Sequence, residues 1–275
     1  MQGRLVPPVD GRIQCFPRES WADEFALAAQ ARLDCIEWIY DEYGADANPV
    51  ATDDGIDAML HLAEVHGVRV VSLCADYFMD RPLVRVDGAD LDERVGVLSW
   101  LLERSQRLGV ERIVLPFVDA SRIETEAELE HVAATVGRTL HRAEETGVEI
   151  HLESSLSPNK LAELLERLPS PLLKVTYDSG NSSSLGYDPR SEFAAYGDRV
   201  GSVHIKDRVK GSGTVPLGTG DADLPAVFSC LRQLDYTGDL IMQVARGVPG
   251  EEVGWALRNR AIVLEHMLRT EWKSL

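Results

Sequence analysis

The feature that most constrains this chain is a regular alternation of two hydrophobic periods along its 275 residues. Short β-branched runs at 34–39, 68–74, 110–117, 148–153, 172–178, 200–206 and 239–244 have strand character. Between them, 20–32, 52–66, 90–108, 124–146, 158–168, 190–198, 223–235 and 251–271 repeat their apolar residues at helical spacing. Ser20 and Thr52 stand where N-caps belong. Gly67, Gly109 and Gly147 each follow a last helical turn and lead directly into a valine that opens a strand. That is the grammar of repeated βα units, and it predicts an α/β fold with a parallel sheet.

Seven strands and eight helices fit a (β/α)₈ TIM barrel, whose typical length is about 250 residues. The missing strand belongs before the first helix, where only residues 1–5 are available. Strand 1 is therefore expected to be very short, or truncated and encoded further upstream. An open doubly wound sheet is the competing fold, but no Gly-rich phosphate fingerprint follows the early strands. No linker or composition shift divides the chain, so residues 1–275 are read as a single barrel domain.

Lysine plus arginine number 28 against 45 aspartate plus glutamate, a formal charge of −17. Such a surface repels phosphate backbones and anionic lipid, so neither nucleic acid nor membrane is an expected partner. No apolar run approaches the ~18 residues of a membrane span, and the first residues lack the apolar stretch of a secretory signal. Cys15, Cys35, Cys74 and Cys230 are scattered and read as reduced thiols, so a cytoplasmic location is expected.

In a βα barrel the chemistry lies at the carboxyl ends of the strands. Four consecutive strands there end in or carry Glu153, Asp178, His204 and Gln243. Pleat parity turns them inward. Val203 and Ile205 face the helices and leave His204 facing in; Leu240, Met242 and Val244 do the same for Gln243. Two carboxylates, an imidazole and an amide oxygen form a mixed O/N donor set. It suits one divalent metal, with Mn²⁺ first and Co²⁺, Zn²⁺ or Mg²⁺ as alternatives. A lone strand-end carboxylate is more often solvated or capping a helix, and a lone histidine is usually structural; the joint pattern carries the reading. His61, His66, His131, His141 and His266 fall on amphipathic helices and are read as surface residues.

Further residues could complete the site. Glu37 faces inward and could hold substrate hydroxyls or act as a base; a buried, hydrogen-bonded barrel carboxylate is the equal alternative. His151 lies one pleat deeper than Glu153 and is either a substrate contact or a supporting partner. Lys206, Arg208 and Arg4 could grip an anionic substrate group, or be solvated. Asn181, in a serine-rich loop, could bind a hydroxyl. Trp38, Phe78 and Phe117 could form an apolar wall or simply be core.

Several stretches carry a resemblance: Ile36-Glu-Trp38, His151-Leu-Glu153, Tyr177-Asp-Ser-Gly-Asn181, Val203-His-Ile-Lys-Asp-Arg208, Val215-Pro-Leu-Gly-Thr-Gly-Asp221 and Tyr236-Thr-Gly-Asp239. With the opening Gln2-Gly-Arg-Leu5 they resemble the sugar-phosphate isomerase/epimerase group of the xylose-isomerase-like TIM-barrel superfamily. The resemblance spans nearly the whole chain. It implies a divalent metal held by Glu153, Asp178 and His204. It also implies a glutamate as fourth ligand and acid/base where this chain has Gln243. Glutamine offers a carbonyl oxygen but cannot shuttle a proton. One carboxylate fewer leaves the metal one unit more positive.

The resulting expectation is a metal-dependent isomerase or epimerase of a keto-sugar, sugar phosphate or related polyol, working through an enediolate with Glu153, Glu37 and Gln243 as the catalytic candidates. A metal-dependent lyase or dehydratase acting by β-elimination, on an inosose-like substrate for example, is the alternative. A third is a non-catalytic binding protein of the same fold. The partner is a small carbohydrate, with homo-oligomerisation left open.

Overall fold

The computed structural model describes residues 1–9 and 11–270. Seven parallel strands form one sheet in chain order: β1 (Cys35–Ile39), β2 (Arg69–Cys74), β3 (Arg112–Phe117), β4 (Glu149–Ser154), β5 (Leu173–Asp178), β6 (Val200–Ile205) and β7 (Leu240–Met242). The gap between β7 and β1 is filled by the first two residues. Glu37 N–H donates to Met1 O at 3.0 Å and Gln2 N–H to Met242 O at 3.3 Å, with Gln2 in a parallel bridge to Glu37. Met1 and Gln2 thus stand in the place of the first stave, and the seven strands form a nearly closed TIM barrel.

Among the described residues ten α-helices wrap this barrel: α1 (Asp23–Gln30), α2 (Asp53–His66), α3 (Tyr77–Asp80), α4 (Gly88–Leu108), α5 (Glu126–Thr146), α6 (Pro158–Arg167), α7 (Ser179–Leu185), α8 (Pro189–Tyr196), α9 (Leu224–Gln233) and α10 (Glu252–Arg269). Their ends follow local chemistry. Thr52 accepts from Gly55 N–H at 3.0 Å, and Thr125 and Glu128 form a reciprocal capping box before α5. Gly67, Gly109 and Gly147 adopt left-handed φ of 64°, 78° and 69° after α2, α4 and α5, a conformation that suits glycine. Ser20 is not a cap: it lies in a turn bonded to Pro17 O, and α1 begins at Asp23 behind Ala22. The last helix is described to Arg269; residue 271, the sequence-based end, lies outside the described residues.

The main apolar core lies between sheet and helices. Leu173, Val175, Tyr177, Val203, Ile205 and Met242 turn outward into it. A small apolar plug of Cys35, Val71 and Ile241 sits in the barrel lumen. The lumen also holds many buried polar side chains, among them Glu37, Ser72, Arg112, His151, Thr176, Ser202 and His204. At the β5/β6 register shift the extra residue is Gly201. A Cβ there would sit 2.5 Å from His151 Cε1, so the shift places glycine where the lumen has no room. Trp38 packs among Phe16, Trp21 and Phe25 in the core, and neither it nor Phe78 nor Phe117 lines the candidate site.

Residues 3–6 and Ile13 are held at the barrel mouth by two charges, half-buried Arg246 and buried Glu24. Arg246 donates to the carbonyls of Gly3, Val6 and Ile13. Glu24 Oε1 accepts from Leu5 and Val6 N–H at 3.3 and 3.2 Å, while its Oε2 has no partner. Burial raises the Glu24 carboxyl from 4.5 to about 7 against those bonds. Its contribution to stability is complete below the unfolded-state value and is lost as pH rises through about 7. Glu24→Gln removes this loss. Relative to the wild type, the variant is expected to gain on the order of 1–3 kcal/mol between pH 5 and pH 8. Urea unfolding of both proteins at the two pH values measures it; a difference that shrinks with rising pH would refute the assignment.

Candidate metal centre and sugar site

Three side chains meet at the carboxyl ends of β4, β5 and β6. Asp178 sits opposite His204 in the β5/β6 register, and Glu153 lies near the end of β4. Their ligand atoms all lie within 4.8 Å of one another, and all three residues are buried. His204 Nδ1 faces Glu153 Oε2 at 3.7 Å and Asp178 Oδ2 at 3.8 Å. These gaps are too long for hydrogen bonds, and Nδ1 has no other partner although the ring is completely buried. Two carboxylate oxygens and an orphaned imidazole nitrogen around one point fit a divalent cation.

Each donor is set by its neighbours. Asp178 uses Oδ1 to cap α7, accepting from Gly180 and Asn181 N–H at 2.8 Å each, which leaves Oδ2 for the centre. Glu153 Oε1 accepts from Asn181 Nδ2 at 2.6 Å, which leaves Oε2. Behind His204, Glu37 Oε1 lies 2.9 Å from Nε2, an ion contact rather than an aligned hydrogen bond, and Ser72 Oγ donates to Glu37 Oε2 at 2.7 Å. This is the arrangement that orients a metal-binding histidine from behind.

The three groups set one another's charge states. Burial, with the nearby Asp178 and Asp76 carboxylates, raises the Glu153 carboxyl to about 8 despite His204 and Lys206. Burial also disfavours ionised Asp178, but Lys206, His204 and the Asn181 N–H outweigh it and hold the carboxyl well below the usual range. Burial opposes a charged His204, yet Glu37 and Asp178 overcome this and raise it to about 10, while His204 and Ser72 hold Glu37 down to about 2. A dication between the three would take over the role of the imidazolium and keep both carboxylates ionised.

Above the centre lies a cavity of about 440 Å³ whose lining includes Arg4, Arg12, Gln14, Asp76, Glu153, Asn181, Lys206, Arg208 and Gln243. A monosaccharide or its phosphate is of a size for it. The sequence-based candidates divide here. Glu153, Asn181, Lys206, Arg208, Arg4 and Gln243 line the cavity. Glu37 does not: it is fully buried beneath His204, which is the buried-carboxylate alternative. His151 is also out of a substrate's reach. It is fully buried, bonded to Ser202 Oγ at 2.8 Å and Glu149 Oε2 at 2.7 Å toward the other end of the barrel.

Gln243 is placed by charge. Lys206 Nζ donates to its Oε1 at 2.6 Å, and its Nε2 donates to Gln2 Oε1 at 2.8 Å. Since Lys206 can only donate, the amide orientation is fixed. The amide oxygen therefore sits on an ammonium group, and Lys206 also reaches Asp178 Oδ2 at 3.4 Å. Its stem crosses the start of α7 at Gly180, where a Cβ would lie 2.6 Å from Lys206 Cγ. From Gln2 a chain of bonds runs on through Arg4 Nη1 (3.0 Å), Arg4 Nη2 to Gln14 Oε1 (2.9 Å) and Gln14 Nε2 to Asp76 Oδ2 (2.5 Å).

The 215–221 motif is scaffold. Buried Asp207 accepts from Gly218, Gly220 and Ala222 N–H at 2.9, 2.9 and 3.1 Å, folding this loop back beside Lys206 and Arg208. A Cβ on Gly220 would lie 2.3 Å from Asp207 Oδ1. Asp207→Ala is expected to cost about 1–3 kcal/mol, because three partly exposed backbone donors lose a buried, charged acceptor. It is also expected to free Arg208 in the cavity wall. Thermal unfolding checks the loss of stability; an unchanged Tm would refute the clamp.

The fold and this centre define a class, and comparison with known proteins agrees. Residues 25–259 match the xylose isomerase-like TIM barrel family, and the chain belongs to it. Among its relatives is the L-ribulose-5-phosphate 3-epimerase UlaE of Shigella boydii, 25% identical over 236 residues that cover 82% of each chain. Among solved structures, an L-ribulose 3-epimerase superposes with a TM-score of 0.76 at 18% identity, over 99% of this chain and 95% of the other. The IOLI protein, solved with a bound zinc atom, superposes with a TM-score of 0.71 at 19% identity, over 92% and 94%. No described helix is long and apolar enough to cross a membrane.

Proposed function

We propose that this protein is a divalent-metal-dependent epimerase of a ketose carrying an anionic group such as phosphate. The observation that carries this reading is the unpartnered His204 Nδ1 aimed between Glu153 Oε2 and Asp178 Oδ2 on the floor of a sugar-sized cavity. Glu153, Asp178 and His204 would hold the metal, and Gln243 could add its carbonyl only by giving up Lys206. When bound, the metal supplies Lewis-acid polarisation of the substrate's carbonyl and hydroxyl oxygens.

The chain's own residues do the rest. Glu153 takes the proton from the carbon beside the carbonyl, and Asn181 fixes which of its oxygens can do so. The Lys206 ammonium adds positive charge where the enediolate develops. Arg208 and Arg12 receive the anionic group. Arg208 Nη1 is held by Asn181 Oδ1 at 2.8 Å, Arg12 lies over the Tyr43 ring, and neither pairs with a carboxylate among the described residues. That an L-ribulose-5-phosphate epimerase is among the relatives supports this substrate class. One observation favours a second outcome: Gln243 cannot reprotonate the carbon, so loss of a β-leaving group would give a lyase.

The test is metal analysis of unchelated protein with product analysis on L-ribulose 5-phosphate, L-ribulose, D-tagatose and D-allulose. About one divalent ion per chain is expected, lost in His204→Ala and in Asp178→Ala, together with epimer formation. Stoichiometric metal in both variants would overturn the centre. A dehydrated product without an epimer would establish the second outcome.

A further inference from the structure

Epimerisation needs a proton acceptor and a proton donor that reach one carbon from two sides, and Gln243 can be neither. Five carboxylates line the cavity: Asp41, Asp76, Asp80, Asp119 and Glu153. Asp41 is taken up by the backbone, accepting from Phe16 N–H on Oδ2 and Gly44 N–H on Oδ1 at 2.7 Å each. Asp80 and Asp119 are exposed at the rim. Glu153 belongs to the metal centre. Asp76 differs from all of these. It lies two residues beyond β2, half-buried in the cavity wall, while Glu153 stands on β4 with β3 between them.

Asp76 is held by side chains alone. Gln14 Nε2 donates to Oδ2 at 2.5 Å and the Cys74 thiol to Oδ1 at 3.3 Å. Each oxygen keeps a free lone pair. Gln14 is fixed in turn by Arg4, which Gln2 ties to Gln243, so the carboxyl is oriented by the same bonded chain that orients the amide. Burial lifts this carboxyl to about 6, within reach of both protonation states near neutrality.

We propose that Asp76 is a catalytic residue of this site, the second proton-transfer group, acting from the β2 wall on the carbon that Glu153 approaches from the β4 wall. The inference rests on the epimerase reading. Glu153 as carboxylate breaks the C–H bond, and the electron pair passes into the enediolate. Asp76 as carboxylic acid then gives its proton to the same carbon, and a new C–H bond forms on the other side. Glu153 ends protonated and Asp76 ionised; exchange of one proton each with water restores both. The reverse reaction starts at Asp76.

The test uses the near-isosteric Asp76→Asn beside the wild type, each with Mn²⁺ in deuterated water. L-ribulose 5-phosphate, D-tagatose and D-allulose, each with its 3-epimer, are the substrates, and products are read by chromatography and mass spectrometry after the metal is removed. In the variant, epimer formation is expected to fall at least 100-fold. The sugar of one configuration still gains deuterium through Glu153, whereas its epimer gains none. That retained one-sided exchange is also the sign of an intact site. A fall of less than 100-fold, or exchange lost from both epimers together, overturns the role of Asp76 while leaving the epimerase reading in place. A wild type that binds metal but exchanges no proton on any of these sugars overturns that reading, and the role of Asp76 with it.

Discussion

Glu153→Gln is expected to lose turnover by about 10³-fold or more and to lose metal with it. An amide keeps one ligand oxygen, but the surroundings decide which end would face a metal. Asn181 Nδ2 donates to Glu153 Oε1, and Asn181 cannot turn round, because its Oδ1 accepts from Arg208 Nη1 at 2.8 Å and from Lys206 Nζ at 3.4 Å. The variant's carbonyl must therefore point at Asn181 and its NH₂ at His204 Nδ1, where a cation would sit. Metal affinity should fall by more than the roughly 10–100-fold typical of losing an outer partner. The double variant Glu153→Gln/Asn181→Asp reverses the polarity of that contact. Its new carboxylate accepts from the amide, still meets Arg208 and Lys206, and turns the glutamine oxygen back toward the metal. Metal titration should show binding recovered and turnover still absent. Equal metal affinity in wild type and Glu153→Gln would show that Asn181 does not set this orientation.

The barrel was legible because strands and long helices announce themselves by period. Thr52, Gly67, Gly109 and Gly147 fall where their chemistry requires them. Two helices had no period to read. α3 is four residues long, and α7 is seven residues of Ser179-Gly-Asn-Ser-Ser-Ser-Leu185, a poor helix former held by the Asp178 cap and by Gly186 at a φ of 77°. Asn181 therefore reads as a loop residue, and nothing in the sequence shows its bond to Glu153. Parity brought Glu153, Asp178 and His204 together correctly, but parity cannot give depth. It placed Glu37 inward without showing that His204 roofs it over. Asp76, Gln14 and Arg12 lie on loops, and the Gln14–Asp76 bond joins residues 62 apart. The one available hint was a carboxylate two residues past a strand end, a common and weak signal. Asp207 also went unassigned, though it stands between Lys206 and Arg208. Two of its three backbone partners, Gly218 and Gly220, come from the glycine-rich motif that carries the family resemblance, and Ala222 follows it directly, so this recognisable stretch holds its neighbours in place.

Gln243→Glu is expected to bind metal more tightly and to turn over more slowly. Around the centre, a dication, two carboxylates, a neutral His204 and the Lys206 ammonium sum to one positive charge; a third carboxylate brings the sum to zero. One unit charge about 5 Å from a dication is worth up to about 7 kcal/mol at an effective dielectric of 20. Much of this goes to Lys206, which already touches the position at 2.6 Å. Metal affinity should therefore rise by at least about tenfold. The enediolate loses the same positive field, so proton exchange should slow by about 10–100-fold. Gln2 adds a cost. Its Oε1 accepts from Gln243 Nε2 and Arg4 Nη1, so a carboxylate at 243 sets oxygen against oxygen unless Gln2 turns, and turning breaks the bond from Arg4. Gln2→Ala in the Gln243→Glu background should relieve this clash and raise Tm relative to Gln243→Glu alone, whereas Gln2→Ala in the wild type should lower it. Calorimetric metal titration, solvent-exchange rates and thermal melts of the four proteins separate the charge effect from the hydrogen-bond conflict. Faster exchange in Gln243→Glu would mean that the charge at 243 does not act on the reacting carbon.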